Sequence, residues 1–396
     1  MIAAFWGAVA LVLYTYAGYP LAIWLGAYLR PRHWRQAECL PGVSIVMAVF
    51  NGAPLLKKKL EHLLALEYPN LVEIISVSDG SSDETNAILR AQSHPKCKCI
   101  VLEEQSGKAV ALNRGLEMAT GDIVLFVDLR PWLGDQSVTR LMRNFADPGV
   151  GCVAGELIVS TGNRDAGAEA VGGLYWKYEQ WIRDCEARFD SPLGVYGGFY
   201  AARRSLITAL PAGTILDDMY QPLSIVRQGY RSVLDPEAKV YDNWPNASAD
   251  EFRRKVRTLA GNFQLVELAP WLLGPSNRLW FQFVSHKLLR LLVPLLLVIA
   301  LLSSAWMAVV ARSTFFQAIT LLQLAFYAAA LLGGRLNFAP ARKLAGVAHA
   351  FCMLNLAVVV GFYQYLFSPR PLWKSLWSKT HIAPQARIKA EAAGGN

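Results

Sequence analysis

Carboxylates appear at two places where an apolar run stops abruptly. In IISVSDGSSDET (residues 74–85) a β-rich stretch gives way, without a linker, to Asp79, Gly80, two serines and Asp83. In DIVLFVDLR (122–130) a second apolar run reaches Asp128. A carboxylate at such a point can accept hydrogen bonds from a ligand or bind a hard cation. It can equally serve a turn or a helix cap, for which Asp, Gly and Ser are well suited. Two of them at equivalent positions favour a shared crevice.

The elements that must position these groups alternate. VSIVMAV (43–49) has the continuous β-branched character of a strand buried on both faces, and Pro54 opens a helical stretch to Leu66. VEIISVS (72–78) predicts the next strand, after which Ser81 and Glu84 have the spacing of a capping box for a helix running toward Arg90. KCIVL (98–102) predicts a strand, Lys108 to Met118 a helix, and DIVLFVD (122–128) a further strand. Strands and helices at this interval argue an α/β domain on a parallel, doubly wound sheet. Such sheets bind ligands outside the carboxyl ends of their strands, where Asp79 and Asp128 fall.

The 396 residues are 54% hydrophobic and 17% charged, with a net charge of +9. A mean hydropathy of +0.27 is too high for an ordinary soluble enzyme of this length and implies a membrane. Ile2 to Leu29 carries no charged side chain and exceeds the roughly 20 residues that cross a bilayer. It lacks a basic leader and is longer than a signal-peptide core of roughly 7–15 residues, so it reads as an uncleaved anchor. Three further spans are predicted at about Leu288–Val310, Phe315–Leu332 and Leu344–Phe367. Arg30, Arg32, His33 and Arg35 follow the first span and place the next domain in the cytoplasm by the positive-inside rule. Lys287 and Arg290, then Arg335, Arg342 and Lys343, continue that pattern. Four crossings would put the tail outside, although it carries Arg370, Lys374, Lys379, Arg387 and Lys389. Either a segment is re-entrant or interfacial, or the tail breaks the rule. The six cysteines show no zinc spacing and read as reduced thiols. The positive balance suits lipid headgroups and requires no nucleic acid.

In order along the chain, IVMAVFNG, SDGSSDET, SGKAVALNRGL, GDIVLFVD, ILDDM and GYRSVLDPEAKVYD resemble the motifs of glycosyltransferase family 2. That family comprises inverting nucleotide-sugar transferases with a Rossmann-like GT-A fold. The resemblance covers about residues 42–260, and one span before with three after resembles the polysaccharide-synthase branch that includes cellulose and hyaluronan synthases. It implies a transmembrane helix at 1–30, a GT-A domain at 40–250, interfacial amphipathic helices at 251–287, transmembrane helices at 288–367 and a basic tail at 368–396.

By the same resemblance Asp79 would meet the uracil or ribose of a uridine diphosphate sugar, and Asp83 would support or cap that loop. Lys108 would meet the diphosphate or uridine, unless it is an ordinary surface lysine. Asp128 matches the first position of the family's Asp-x-Asp, which holds Mg2+ or Mn2+ against the diphosphate. The second position is Arg130, which either weakens the metal site or itself neutralises part of the diphosphate. Asp218 matches the base that takes the acceptor hydroxyl proton, and Asp217 beside it would raise its pKa. Taken alone, the pair also suits the first turn of a helix. Glu156 and Gly198 fall in what resemble acceptor-side loops, although packing glycines explain GG equally well.

FRRKVRTLAGNFQ (252–264) occupies the place of the synthases' Gln-x-x-Arg-Trp. Arg254 stands for the glutamine, Arg257 matches the arginine and Thr258 replaces the tryptophan, which leaves processivity in doubt. Its basic stripe beside Phe252, Val256, Leu259 and Phe263 predicts an interfacial helix. The expectation is an integral-membrane inverting glycosyltransferase that takes a nucleotide-sugar donor and a glycan or lipid acceptor, with membrane lipids around it. A homo-oligomer or partner subunit stays open, as does a non-catalytic nucleotide-sugar-binding scaffold. A transporter is disfavoured by the scarcity of ionisable groups within the spans.

Overall fold

A computed structural model describes residues 1–160, 166–243, 248–332, 339–369 and 371–376. Arg335, Arg370, Lys379, Arg387 and Lys389 lie outside the described residues, as do the side chains of Arg342 and Lys343.

Among the described residues eight strands form one sheet: β1 (Val43–Val49), β2 (Leu71–Ser78), β3 (Cys97–Val101), β4 (Ile123–Val127), β5 (Trp132–Leu133), β6 (Val150–Ser160), β7 (Phe199–Arg203) and β8 (Arg231–Asn243). Their order is β3-β2-β1-β4-β7-β6-β8-β5. The first four pair in parallel, as the alternation predicted. β7 runs antiparallel to both β4 and β6, while β8 returns parallel to β6. The sheet is therefore mixed rather than wholly parallel.

Helices α3 (Ala53–Leu64), α4 (Thr85–Arg90), α5 (Lys108–Met118), α6 (Ser137–Met142) and α8 (Asp217–Arg227) serve this sheet, and α7 (Ala166–Phe189) and α9 (Ser248–Leu268) reach the apolar helices. Because α7 leaves the sheet for α2 instead of packing back as a crossover, β7 enters from the opposite end. Alternate residues of β1 face opposite cores. Ile45 and Met47 join Leu56 and Leu60 of α3, and Val46 joins Leu112 of α5.

The expected capping box is absent. Asp83 does that work: its Oδ1 accepts from Thr85 N (3.0 Å) and its Oδ2 from Ala53 N (3.1 Å), joining the starts of α3 and α4. Ser81 Oγ instead accepts from Asn51 N at 3.0 Å.

At the N-terminus α1 (Ile2–Leu13) and α2 (Tyr19–Leu29) are joined through a π-helical turn at Tyr14–Gly18. Likewise α10 (Trp280–Gln282) continues through a π turn at Phe283–Leu288 into α11 (Leu289–Val309), followed by α12 (Thr314–Leu332), α13 (Ala339–Phe367) and α14 (Leu372–Leu376). Among the described residues the stretches long and apolar enough to cross a membrane are Ile2–Leu29, Trp280–Val309, Thr314–Leu332 and Ala345–Phe367. The second belongs to a helix that starts at Trp280, so residues 280–287, expected in the interfacial segment, are continuous with the span. Its helix is continuous across Lys287, whose charge had suggested a boundary.

Phe5 packs on Phe316 far from the sheet, with ring centroids 5.3 Å apart. Toward the sheet, Tyr19 OH donates to Glu186 Oε1 of α7 at 2.5 Å. The end of α13 lies along α9: Phe263 meets Phe362 at 5.0 Å and Tyr365 at 5.9 Å, and the Tyr365 hydroxyl donates to Glu267 at 2.8 Å. Trp373 of α14 then packs against Gly107 and Gly213 of the sheet domain. Residues 372–376 thus lie with that domain, where four simple crossings would not leave them.

Candidate active site

A cavity of about 1020 Å³ opens at the carboxyl ends of β1, β2 and β4 and continues to the apolar helices. Asp79, only 4% exposed, lines it from the end of β2. Its carboxylate accepts from the backbone N–H of Ser106 (2.7 Å) and Gly107 (2.9 Å), which folds the loop ahead of α5 against the strand end. Burial pushes this carboxyl up, and the two N–H donors pull it back down. Gly80 (φ 64°) makes the close approach possible, since a Cβ there would sit 2.3 Å from Gln105 N.

The loop delivers Lys108 to the first turn of α5. Its ammonium sits 3.0 Å from Asp128 Oδ1 and 3.1 Å from Asp217 Oδ2. Burial alone would lower the pKa of this lysine, but the carboxylates of Asp128, Asp217 and Asp218 outweigh it and hold the ammonium firmly charged. Asp217 and Asp218 open α8, the former buried and the latter facing the cavity. Asp217 Oδ2 is buried and out of line for a hydrogen bond despite its distance from Lys108. Burial, and then the charge of Asp217, push Asp218 up to about 7 against the pull of Lys108 and Arg257. Gly197 gives Asp218 room, because a Cβ there would lie 2.9 Å from the Asp218 Cβ. Gly198 is equally confined, between Tyr196 and Pro131.

Arg130 lines the same cavity but does not face it freely. Its Nη2 donates to Asp242 Oδ2 at 2.7 Å and its Nε to the same oxygen at 3.1 Å, and the Tyr196 hydroxyl donates there at 3.3 Å. Arg254, Arg257 and Thr258 of α9 also reach the cavity. Glu156 does not. It sits within β6, where Leu157 and Val159 take the cavity face, and accepts from Gln180 of α7. The alternation of the strand turns it away, so the loop position expected for it is corrected.

Among the described residues no cluster of three or more His, Cys, Asp or Glu offers a ready-made metal cage. The donor set nevertheless fits a divalent cation held partly by substrate. Asp128 is 43% exposed toward the cavity, and the buried Asp217 oxygen lacks a hydrogen bond.

Four contributors escaped the sequence reading. Lys59 is 0% exposed and donates to the Pro131 carbonyl just beyond Asp128, and burial pushes its pKa down to about 7. The signal was available: Lys59 falls within the stripe of Leu55, Leu56, Leu60 and Leu63 that α3 turns inward. Asp242 and Tyr196 carry no local signature, and neither does Trp373, which closes over the Gly107 loop.

A parallel α/β half continued by crossed strands, with carboxylates from three strand and helix ends meeting in one cleft, defines the GT-A class of nucleotide-sugar fold. Residues 44–209 match the family described as glycosyl transferase family 2. It is 26% identical over 283 residues to an N-acetylglucosaminyltransferase of Rhizobium meliloti (strain 1021), covering 67% of this chain and 66% of the relative. It is 25% identical over 236 residues to a poly-beta-1,6-N-acetyl-D-glucosamine synthase of Staphylococcus aureus (strain COL), covering 57% and 56%. The chain thus spans less than two thirds of the length of these curated relatives. A solved mannosyltransferase from Pyrobaculum calidifontis, in complex with GDP-Man and Mn2+, shares the fold with a TM-score of 0.67 and 23% identity over 91% of this chain and 98% of that one.

Proposed function

We propose that this protein is an integral-membrane inverting glycosyltransferase that moves a sugar from a nucleotide diphosphate to a hydroxyl of a glycan or lipid-linked acceptor. The single observation that carries this reading is the meeting of Asp79, Lys108, Asp128 and Asp218, from four separate parts of the chain, in one cavity.

Asp79 and its loop take the nucleoside end, and Lys108, Arg254 and Arg257 answer the diphosphate charge. Asp218 accepts the proton of the attacking hydroxyl, on the side of the sugar away from the diphosphate. A carboxylate with a pKa near 7 is a better base at neutral pH than one near 4. Asp128 would hold Mg2+ or Mn2+, which when bound neutralises charge on the departing diphosphate. Arg130, tied to Asp242, braces the loop after Asp128 in place of a second acidic ligand.

The names of the relatives support an N-acetylglucosamine donor, so UDP-N-acetylglucosamine is the first to try. Thr258, standing where the synthases carry tryptophan, supports a single transfer or a short product. The basic residues following Leu29 support a cytoplasmic position for the sheet domain, and Trp373 brings the end of α13 to that same side.

Purified full-length protein incubated with a panel of nucleotide sugars, with nucleoside diphosphate release followed, tests the reading. Asp218→Asn should bind donor and lose most transfer. Equal rates for the two proteins would remove Asp218 from the role of base, and silence with every donor would remove the enzyme.

A further inference from the structure

Away from the carboxylates the same cavity ends among cations. Arg183 of α7, Lys255 of α9 and Lys287 and Arg290 at the head of the second span all line it. The carboxylates that act on them are Glu179 and Glu186, with Asp218 felt by Arg183 and Glu251 by Lys255. Glu186 is already engaged, by Tyr19 OH at 2.5 Å, His286 Nδ1 at 2.7 Å and Leu193 N at 3.3 Å. Glu179 takes Arg290 Nη1 and lies 3.4 Å from His286 Nε2.

Among the described residues the other cations are not paired one to one with carboxylates. Arg183, Lys255 and Lys287 have no carboxylate within ion-pair distance among the described residues, and the buried Nε and Nη2 of Arg290 have no hydrogen-bond partner. Aromatic faces steady the cluster instead: Lys255 lies over Tyr175 at 5.1 Å, Arg183 over Trp176 at 5.1 Å, and Arg290 over Tyr16 and Tyr178 at 5.8 Å each. Burial, joined by the charge of Arg254, pushes Lys255 down to about 8, and burial pushes Arg183 below its usual range, in both cases against the pull of the surrounding carboxylates. A buried excess of cations is costly unless an anion joins it.

The surroundings say which kind of anion. Leu291, Leu354 and Val358 of α11 and α13 continue the cavity wall between the apolar helices. Both π-helical turns, Tyr14–Gly18 and Phe283–Leu288, contribute to this end through Tyr16, His286 and Lys287.

Resting on the transferase reading above, we propose that this membrane end seats the phosphate or diphosphate of a lipid-linked acceptor, whose sugar hydroxyl extends to Asp218. Guanidinium forks match phosphate oxygens, and the apolar wall takes the lipid tail. In the step, the acceptor oxygen bonds to the anomeric carbon of the donor. The bond from that carbon to the diphosphate breaks, the hydroxyl proton passes to Asp218, and the nucleoside diphosphate leaves.

Three probes separate the sources of the anion: farnesyl diphosphate, farnesol and inorganic pyrophosphate. Each is titrated against the detergent-solubilised full chain by native mass spectrometry, with UDP and GDP at millimolar concentration to fill the donor end. Farnesyl diphosphate should bind at least tenfold more tightly than either fragment. Lys255→Gln and Arg183→Gln should each weaken it about tenfold, and Lys255→Arg should retain it. UDP binding by the variants, checked separately, reports that they are folded. Farnesol binding as well as farnesyl diphosphate, pyrophosphate binding as well, or variants indistinguishable from wild type would each overturn the inference. Nucleoside diphosphate release on a saccharide acceptor alongside any of those results would leave the transferase reading standing. No turnover or binding of any nucleotide sugar would remove that reading first.

Discussion

The Lys108 ammonium bridges Asp128 and Asp217, at 3.0 and 3.1 Å, and so ties the end of β4 to the start of α8. Lys108→Met leaves the two carboxylates facing each other. Losing one partner of a fully buried pair costs about 3–5 kcal/mol, and the 43% exposure of Asp128 reduces this to about 1–3 kcal/mol. Thermal melting should show that loss without divalent cation and partial recovery with Mn2+. A variant as stable as wild type in chelator would show that the bridge is not structural.

The raised Asp218 pKa sets a pH profile. A base must be ionised, so kcat/KM should fall about tenfold per pH unit below about 7 and level off above it. The same shift acts on stability in the opposite sense. Its folded pKa lies above its unfolded value, so its contribution is complete at low pH and fades as pH rises through about 7. An activity limb centred near pH 4 would place the proton acceptor elsewhere.

Chelation should lower turnover by on the order of tenfold to a hundredfold, since lysine and arginine charge stays beside the diphosphate when the cation is removed. Readdition of Mn2+ or Mg2+ should restore it. Undiminished turnover in chelator would show that the cation is dispensable.

Trp373 packs where a Cβ on Gly107 would approach it to 2.9 Å, and Gly107 holds a φ of 95°. Trp373→Ala should raise the donor KM with little change in kcat, because the side chain braces the loop without reaching the transferred group. Gly107→Ala should do the same and also lower the melting temperature. An unchanged donor KM for both would disconnect α14 from the donor site.

Much of this was legible in the chain. VSIVMAV became β1 residue for residue, and the helix expected at Lys108–Met118 is α5. Both answers depend on local apolar runs and on loop residues beside them. Asp79, Lys108, Asp128 and Asp218 were also legible, because a strand end and a helix start each fix where one side chain emerges. Glu156 was misplaced because the alternation of β6 decides its face, and the break in pairing beside it, where β8 passes from Asp235 to Lys239 opposite Gly155–Glu156, has no local pattern in the sequence.

The sequence by itself determined the first four strands, the apolar spans and which carboxylates stand at element ends, since each follows from hydrophobicity and backbone preference over a few residues. Only the tertiary structure decided that Lys108 joins Asp128 to Asp217, that Asp242 holds Arg130, and that Trp373 returns from beyond the last span to Gly107. Those partners are distant along the chain, and contact between them depends on how whole elements pack rather than on anything either residue's neighbours encode.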